Sequence, residues 1–339
     1  MTYDEIMAQI EAGLTGDPHH DISYLKEQCD KYKDDEYGKE ILKACGRLIY
    51  KAIPDEEKEE FNDAYNSDLS KYEKKLEEIQ FVQYQKNFDK ALSLMEPLIK
   101  DIEEMIANGM FEDDKVSEFF CFDHPLEEVI YKNYNRSEKE VRHCDIPFAS
   151  IYLQYGSLLI DLDRWEDAQK SLEKAREWNP VSTSIIFELC ETYKHLNQLQ
   201  LYLDTVKEVF QYCYEPETVA RAYRNLGWYF VEKEMYDEAV AVLVMSLQYE
   251  KNDFVQSELF YIEQKSGKPI AQPEMENLKR IAEKYGFPVG AHTEVLSILY
   301  SIGIDAMKHD NKEVAKYFLN LLFDLTDDDD IKALIDKLE

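Results

Sequence analysis

The sequence contains few residues that interrupt helices: only 11 glycines and 10 prolines occur among 339 residues. Alternation of β-branched and polar residues is also rare. Instead, Leu, Glu, Lys, Ala and Gln fill segments in which apolar residues recur every three to four positions, as they do on one face of an α-helix. We therefore predict an all-α fold.

Basic residues are scarce as well, with 39 Lys and Arg against 70 Asp and Glu, which gives a formal net charge of −31. A surface of this charge repels phosphate backbones and anionic lipid headgroups. We therefore expect no nucleic-acid partner and no membrane partner. A basic partner would suit the charge, although solubility alone is the simpler explanation.

No apolar run approaches the length of a membrane-spanning helix, and the first residues, MTYDEIMAQIEAG, lack the basic and apolar parts of a signal peptide. The six cysteines are scattered without a CxxC pair, which is typical of reduced thiols. These features predict a cytoplasmic protein whose cysteines mostly pack between helices.

The chain does contain a repeated segment. Residues 152–180 read YLQYGSLLIDLDRWEDAQKSLEKAREWNP, and residues 223–251 read YRNLGWYFVEKEMYDEAVAVLVMSLQYEK. Aligning Gly156 with Gly227 also aligns a tyrosine, an acidic residue followed by alanine, and a leucine. The offset of 227 − 156 = 71 residues leaves room for one further unit between them.

These segments resemble the tetratricopeptide repeat (TPR), a pair of antiparallel helices with about 34 residues. The resemblance implies an α-α superhelix, that is, a TPR-like helical-repeat solenoid with capping helices. We divide the chain into an N-terminal helical region with a degenerate TPR-like pair near 67–106 (1–107), an irregular insertion or linker (108–148), three TPR units (149–253), and C-terminal helical pairs that include a TPR-like unit at 296–329 and a capping helix (254–339).

Small residues in the repeats predict close contacts between the two helices of a pair. Two helices approach closely where a small side chain on one meets a small side chain on the other. We therefore expect three such contacts, namely Gly156 against Ala168, Gly227 against Ala239, and Gly303 against Ala315.

The resemblance also implies a concave groove, lined mainly by first helices, that holds a peptide or a partner helix. Positions separated by three, seven and ten residues share one stripe of a helix. On the first helices of the three units, this stripe carries the candidate groove residues Arg221, Arg224, Trp228, Phe187, Glu191, Leu153 and Ser157. Guanidinium groups suit carboxylates, and an indole is a good binding anchor.

Two alternatives apply to this groove. The arginines can pair with neighbouring acids such as Glu188, with the tryptophan packed inside. One TPR class clamps a C-terminal carboxylate with lysines and asparagines. Here its positions hold Leu153, Ser157 and Glu188, and only Arg221 and Asn225 suit a clamp. We therefore do not expect that kind of clamp.

Catalysis has little support in the sequence, because there is no Gly-rich phosphate loop, GxSxG, HExxH or DxDxDG segment. We predict no enzyme activity and no cofactor. One alternative is a metal or catalytic site in the insertion, built from Cys121, His124, His143 and Cys144, although their spacing is unlike that of zinc fingers.

The predicted function is therefore that of a scaffold or adaptor that binds a protein or peptide of unknown identity. A sensor of small signalling peptides is an alternative with the same fold. A structural homo-oligomer, joined through exposed helices at the ends of the array, is another.

Overall fold

The computed structural model describes residues 1–338, and it describes residues 55–57 and 59–70 by their backbone only. This described part consists of seventeen helices and two short strands. In chain order the elements are α1 (Tyr3–Ala12), α2 (Pro18–Tyr32), α3 (Gly38–Ala52), α4 (Asp55–Tyr84), α5 (Phe88–Ala107), β1 (Ser117–Phe120), α6 (Pro125–Tyr134), β2 (Glu140–His143), α7 (Phe148–Asp161), α8 (Trp165–Trp178), α9 (Thr183–His195), α10 (Leu199–Val209), α11 (Pro216–Glu232), α12 (Tyr236–Tyr249), α13 (Asp253–Ser266), α14 (Met275–Tyr285), α15 (Thr293–Lys308), α16 (Lys312–Thr326) and α17 (Asp329–Asp336).

The chain forms two compact units whose segments alternate along the sequence. Unit 1 comprises Met1–Cys121 and Ser137–Gln154, and unit 2 comprises Phe122–Arg136 and Tyr155–Glu339. The prediction of an all-α helical-repeat fold is confirmed, with helices as the dominant element of both units. None of the described helices is both long enough and apolar enough to cross a bilayer.

The same turn joins the two helices in five of the helix pairs. In each turn one residue has a left-handed backbone conformation, with φ between 55° and 59°, and these residues are Lys86, Asp163, Asn197, Glu234 and Asp310. The next residue donates its backbone N–H to the carbonyl five positions earlier, at N···O distances of 2.8 to 3.2 Å. This bond satisfies a carbonyl at the end of the first helix. The spacing 197 − 163 = 34 equals the length of one TPR unit.

The α4–α5 pair has this turn too, at Lys86. The pair corresponds to the degenerate repeat predicted near 67–106. The side chains of residues 67–70, at the start of that segment, lie outside the described ones.

The close contact inside a helix pair involves a leucine, and our prediction of glycine against alanine was wrong. A Cβ added at Gly156 would lie 2.6 Å from Leu172 Cγ, and one added at Gly227 would lie 2.5 Å from Leu243 Cδ2. The third pair repeats the contact, with Leu319 Cδ2 2.8 Å from a Cβ at Gly303. Each leucine follows its glycine by 16 residues. The branched side chain fills the space that the missing Cβ leaves, so the predicted alanines Ala168, Ala239 and Ala315 are not the nearest neighbours.

The segment 108–148, predicted to be irregular, contains β1, α6 and β2. The strands pair in parallel within unit 1, with Ser117 opposite Glu140. Each strand has only four residues, which is too short to show the alternation that identifies a strand in a sequence. The sequence therefore did not predict them.

Helix α6 packs within unit 2 through both apolar and polar contacts. Ile130 is fully buried. Glu127 Oε2 accepts a hydrogen bond from Asn179 Nδ2 at 2.9 Å, and the Tyr134 hydroxyl lies 3.1 Å from His292 Nδ1. Burial raises the pKa of Glu127, although the bond from Asn179 acts in the opposite direction. These contacts hold α6 against the loops that precede α9 and α15.

The run of aspartates near the C-terminus forms a helix boundary. Asp327 ends α16 in a left-handed conformation, and the Asp328 carboxylate accepts the Asp330 N–H at 2.8 Å to begin α17. Ile331 and Ile335 are buried on α17. Helix α17 (Asp329–Asp336) lies in the C-terminal region for which we predict a capping helix, and residue 339 lies outside the described ones.

Replacement of Gly227 tests the glycine–leucine contact. Gly227→Ala is expected to lower the free energy of unfolding by about 1–2 kcal/mol, because the new methyl group forces Leu243 out of its position. Urea unfolding followed by helical circular dichroism measures this change. Gly46 in α3 is the matched control, since a Cβ there meets no atom within 4 Å. Gly46→Ala should stabilise by roughly 0.5–1 kcal/mol, and an equal gain from Gly227→Ala would contradict the contact.

Candidate functional site

Four helices of unit 2, α9, α11, α12 and α13, surround a cavity of about 230 Å³. Four of the seven predicted groove residues line it, and side chains from α9, α12 and α13 complete it. The lining residues are Glu191, Lys194, Arg221, Arg224, Asn225, Trp228, Leu243, Phe254, Val255 and Glu258.

The amphipathic pattern of α11 explains why its polar residues face this cavity. Pro216 occupies the first turn of the helix, where the missing N–H has no cost. Tyr223, Leu226 and Phe230 are buried on one side of the helix. The stripe that carries Arg221 and Trp228, at a spacing of seven residues, is half-buried and lines the cavity.

Arg221 forms an ion pair and a cation–π contact at the edge of the cavity. Its Nη2 lies 3.5 Å from Glu188 Oε1, and its guanidinium carbon lies 4.5 Å from the centre of the Phe187 ring. Burial raises the pKa of Glu188, whereas the charge of Arg221 lowers it. This is the pairing with Glu188 that the sequence offered as an alternative.

Trp228 is half-buried, and its indole has an aromatic ring and a cation as neighbours. The Tyr202 ring meets it edge-on with 4.8 Å between ring centres, and Lys194 Nζ lies 4.9 Å from the indole centre. Lys194 also lies 3.3 Å from Glu191 Oε2. A cation over an indole is attracted by the negative face of the ring. This attraction holds the Lys194 and Trp228 side chains together in the lining of the cavity.

Arg224 and Asn225 differ in how well their hydrogen-bonding groups are satisfied. Arg224 Nη1 lies 2.6 Å from Glu250 Oε2, which is a charge-assisted hydrogen bond. Asn225 is 8% exposed, and its Nδ2 is buried without a hydrogen-bond partner in the described part of the chain. The Asn225 backbone carbonyl accepts a bond from the Tyr202 hydroxyl at 2.9 Å.

Phe254 is held at the mouth of the cavity by the cap of α13. The side-chain oxygen Oδ1 of Asn252 accepts a hydrogen bond from the Phe254 N–H at 3.0 Å. This bond caps the first turn of α13, which begins at Asp253. The Phe254 side chain is 71% exposed. A large apolar side chain this exposed beside a cavity is a candidate contact for a ligand.

The cavity includes some of the predicted groove residues and omits others. Arg221, Arg224, Trp228 and Glu191 line it. Phe187 is 2% exposed beneath the Arg221 guanidinium, so a ligand reaches it only if Arg221 moves. Leu153 and Ser157 on α7 are half-buried and do not line the cavity. The cavity also contains Lys194, Phe254 and Glu258, which the sequence did not predict. Lys194 lies on α9 outside the predicted stripe, and Phe254 and Glu258 lie on α13, in the next helix pair.

The four candidate metal ligands of the insertion belong to different units, His124 to unit 2 and Cys121, His143 and Cys144 to unit 1. His124 accepts the Leu126 N–H through Nδ1 at 3.1 Å and so caps α6 in unit 2. The cysteines belong to unit 1, where a hydrogen bond with Cys121, together with burial, raises the pKa of Cys144. Among the side chains that the structure describes, no three His, Cys, Asp or Glu residues converge to hold a metal ion.

Comparisons with known proteins give two similarities, while no family model matches the chain. Sperm-associated antigen 1 of Mus musculus is 33% identical over 100 residues, which are 30% of this chain and 10% of that protein. The chain thus spans about a tenth of the length of this relative. The crystal structure of YrrB, described as a TPR protein with an unusual peptide-binding site, covers 62% of this chain and 99% of its own, with 16% identity and a TM-score of 0.30.

The structure repeats the same local features from one helix pair to the next, as the TPR pattern requires. Five turns share one backbone geometry, and three pairs share the glycine–leucine contact. The chain thus has a helical-repeat fold that resembles the TPR pattern.

Removal of the Arg221 guanidinium is expected to destabilise the fold in a pH-dependent way. Without it, the folded-state pKa of Glu188 rises further above its unfolded value, because burial is no longer opposed. The free energy of unfolding should fall by about 1 kcal/mol, as expected for a partly exposed ion pair. The full decrease should be seen at pH values above the folded-state pKa of Glu188. It shrinks as the pH falls and Glu188 takes up a proton in both states.

Urea unfolding of wild type and Arg221→Gln at neutral and mildly acidic pH measures this difference. The control is the double variant Arg221→Gln/Glu188→Gln, compared with Glu188→Gln alone. The pH-dependent part of the difference should vanish in that comparison. If it persists, another acid is the partner of Arg221.

Proposed function

We propose that the chain binds a segment of another protein in the cavity bordered by α9, α11 and α13, and that it acts as a scaffold or adaptor without catalysis. The observation that carries the proposal is the unpartnered Nδ2 of Asn225. This donor lines the cavity together with an arginine and a tryptophan.

A buried amide donor without a partner costs free energy in the folded chain, about 1–3 kcal/mol. Most buried polar groups in proteins have a partner, so each exception calls for a physical reason. A ligand carbonyl or carboxylate oxygen would supply the missing acceptor. The backbone carbonyl of an extended peptide has the right chemistry for Asn225 Nδ2.

Aromatic side chains supply the apolar part of the proposed site. Phe254 is mostly exposed at the mouth of the cavity, and Trp228 forms part of its half-buried wall. Binding energy in protein interfaces is concentrated on aromatic and arginine anchors that fill such pockets. We therefore infer that the bound segment places a large apolar side chain between these two rings.

The charges of the site favour a segment with an acidic group. Lys194, Arg221 and Arg224 are three cations close together in a chain whose net charge is −31. Each already has an acidic partner within the chain. A ligand carboxylate therefore competes with Glu191 or Glu250, so it adds specificity more than affinity.

Selection from a displayed random peptide library tests the proposal, with the full chain as the target. Peptides that depend on the cavity are obtained by counter-selection against Trp228→Ala. For these peptides, Asn225→Ala is expected to raise the Kd about tenfold, since one hydrogen bond from a buried donor is lost. Fluorescence anisotropy of the labelled peptide measures the Kd.

Two controls separate binding from folding. Asn225→Ala removes a group that has no partner in the free chain, so its unfolding free energy should equal or exceed that of wild type. Arg164→Gln changes a surface pair with Asp167 that lies outside the cavity, and it should bind like wild type. Selected peptides that bind Asn225→Ala and wild type equally well would refute this site.

A further inference from the structure

Unit 1 contains a second cavity, of about 540 Å³. One face of α1, one face of α3 and two alternate residues of β2 surround it. Its lining residues are Tyr3, Asp4, Met7, Ala8, Glu11, Ala44, Arg47, Leu48, Lys51, Glu140 and Arg142. None of them belongs to the cavity of unit 2.

Arg47 is half-buried in this cavity, and none of its five N–H groups donates a hydrogen bond within the described part of the chain. Arginines that are half-buried normally form ion pairs or hydrogen bonds, because a buried charge without a partner is costly. Burial, and the nearby charge of Arg142, lower the pKa of Arg47. The charges of Glu140 and Asp114 act in the opposite direction. Arg142 is paired with Glu140, whereas Arg47 has no ion pair of its own among the described residues.

Arg142 is fixed in a definite orientation beside Arg47. Its Nε donates to the hydroxyl of Ser117, a 2% exposed residue of β1, at 3.0 Å. Its Nη2 forms an ion pair with Glu140. Nη1 donates no hydrogen bond among the described residues, so one side of the guanidinium is open to a ligand.

The acids that line the cavity are at its rim. Asp4 and Glu11 are exposed on α1, and the Glu140 side chain is 61% exposed. By contrast, the Arg142 side chain is only 19% exposed. Solvent and salt screen the charges at the rim more strongly than those inside. Asp114, whose charge also acts on Arg47, does not line the cavity and lies 3.0 Å from Lys43 Nζ. The charged groups inside the cavity are therefore the two guanidinium groups, although the lining as a whole carries both signs.

We propose that this cavity binds a phosphomonoester, with Arg47 and the open side of Arg142 donating to the phosphate oxygens. A phosphate group carries a charge of about −1.5 to −2 at neutral pH. This charge suits Arg47, which has no ion pair of its own, and it competes with Glu140 for Arg142. Planar guanidinium groups also match the spacing of phosphate oxygens. The volume left beyond the phosphate accommodates an organic group, which contacts Met7 and Leu48 on the apolar part of the wall.

Calorimetric titration of the full chain with phenyl phosphate, inorganic phosphate and a short phosphoserine peptide tests the proposal. All titrations are made at equal ionic strength set with sodium chloride. Wild type should bind phenyl phosphate with a Kd below about 1 mM and more tightly than inorganic phosphate. Relative affinities for phenyl phosphate and the peptide distinguish a free phosphorylated metabolite from a phosphorylated protein. Absence of binding by all three compounds would overturn the proposal.

Arg47→Gln is the deciding variant. It removes a group that has no partner in the free chain, so the melting temperature without ligand should stay equal or increase. Its Kd for phenyl phosphate should rise at least about tenfold, because charge-assisted hydrogen bonds are lost. Arg142→Gln should weaken binding as well, with some loss of stability because Ser117 and Glu140 lose their partner.

Arg164→Gln, which makes the same change of charge in unit 2, is the matched control and should bind as wild type does. An equal loss of affinity in Arg164→Gln and Arg47→Gln would show that only the net charge matters. That result, or unchanged binding in Arg47→Gln, would overturn the proposed site. A dicarboxylate that binds while the phosphates do not would overturn the phosphate class.

Discussion

The close approach of two helices at a glycine is the constraint on which unit 2 depends. A leucine from the second helix occupies the space where a Cβ would be, at Gly156, Gly227 and Gly303 alike. Because the contact recurs with one geometry, the helices of each pair cross in the same way. The stripe of α11 that carries Arg221 and Trp228 therefore faces α9 on one side and α13 on the other. The position of the cavity follows from packing that involves none of its polar residues.

Both cavities contain a donor without a hydrogen bond among the described residues, namely the buried amide of Asn225 in one and the half-buried guanidinium of Arg47 in the other. Asn225 Nδ2 lowers the stability of the fold where it stands, because water is excluded and no acceptor replaces it. A residue that lowers the stability of the free chain is often one that serves binding, so that replacing it increases stability and weakens binding. The surrounding ion pairs, such as Arg224 with Glu250, are by contrast already satisfied.

The sequence predicted the helix pairs because their pattern is local and recurrent. It did not predict which residue packs against Gly227. Ala239 and Leu243 lie on the same helix, α12, only four residues apart, and the way in which the helices cross places Leu243 nearest to the glycine. Arg221, Arg224 and Trp228 were predicted from the periodicity of one helix. Phe254 was missed because it reaches the cavity from another helix pair, and Arg47 because α1, α3 and β2 meet only in the folded unit.

The alternation of the two units along the chain has a consequence for folding during synthesis. Unit 1 requires Ser137–Gln154, so it is complete only after α6 has been made. Helix α6 itself belongs to unit 2, and its Tyr134 meets His292, which is 158 residues further along. Contacts between such distant residues form late because closing the intervening loop costs entropy. As the chain leaves the ribosome, α6 therefore gains its partners in two steps: first Asn179 at the end of α8, and only much later His292 before α15.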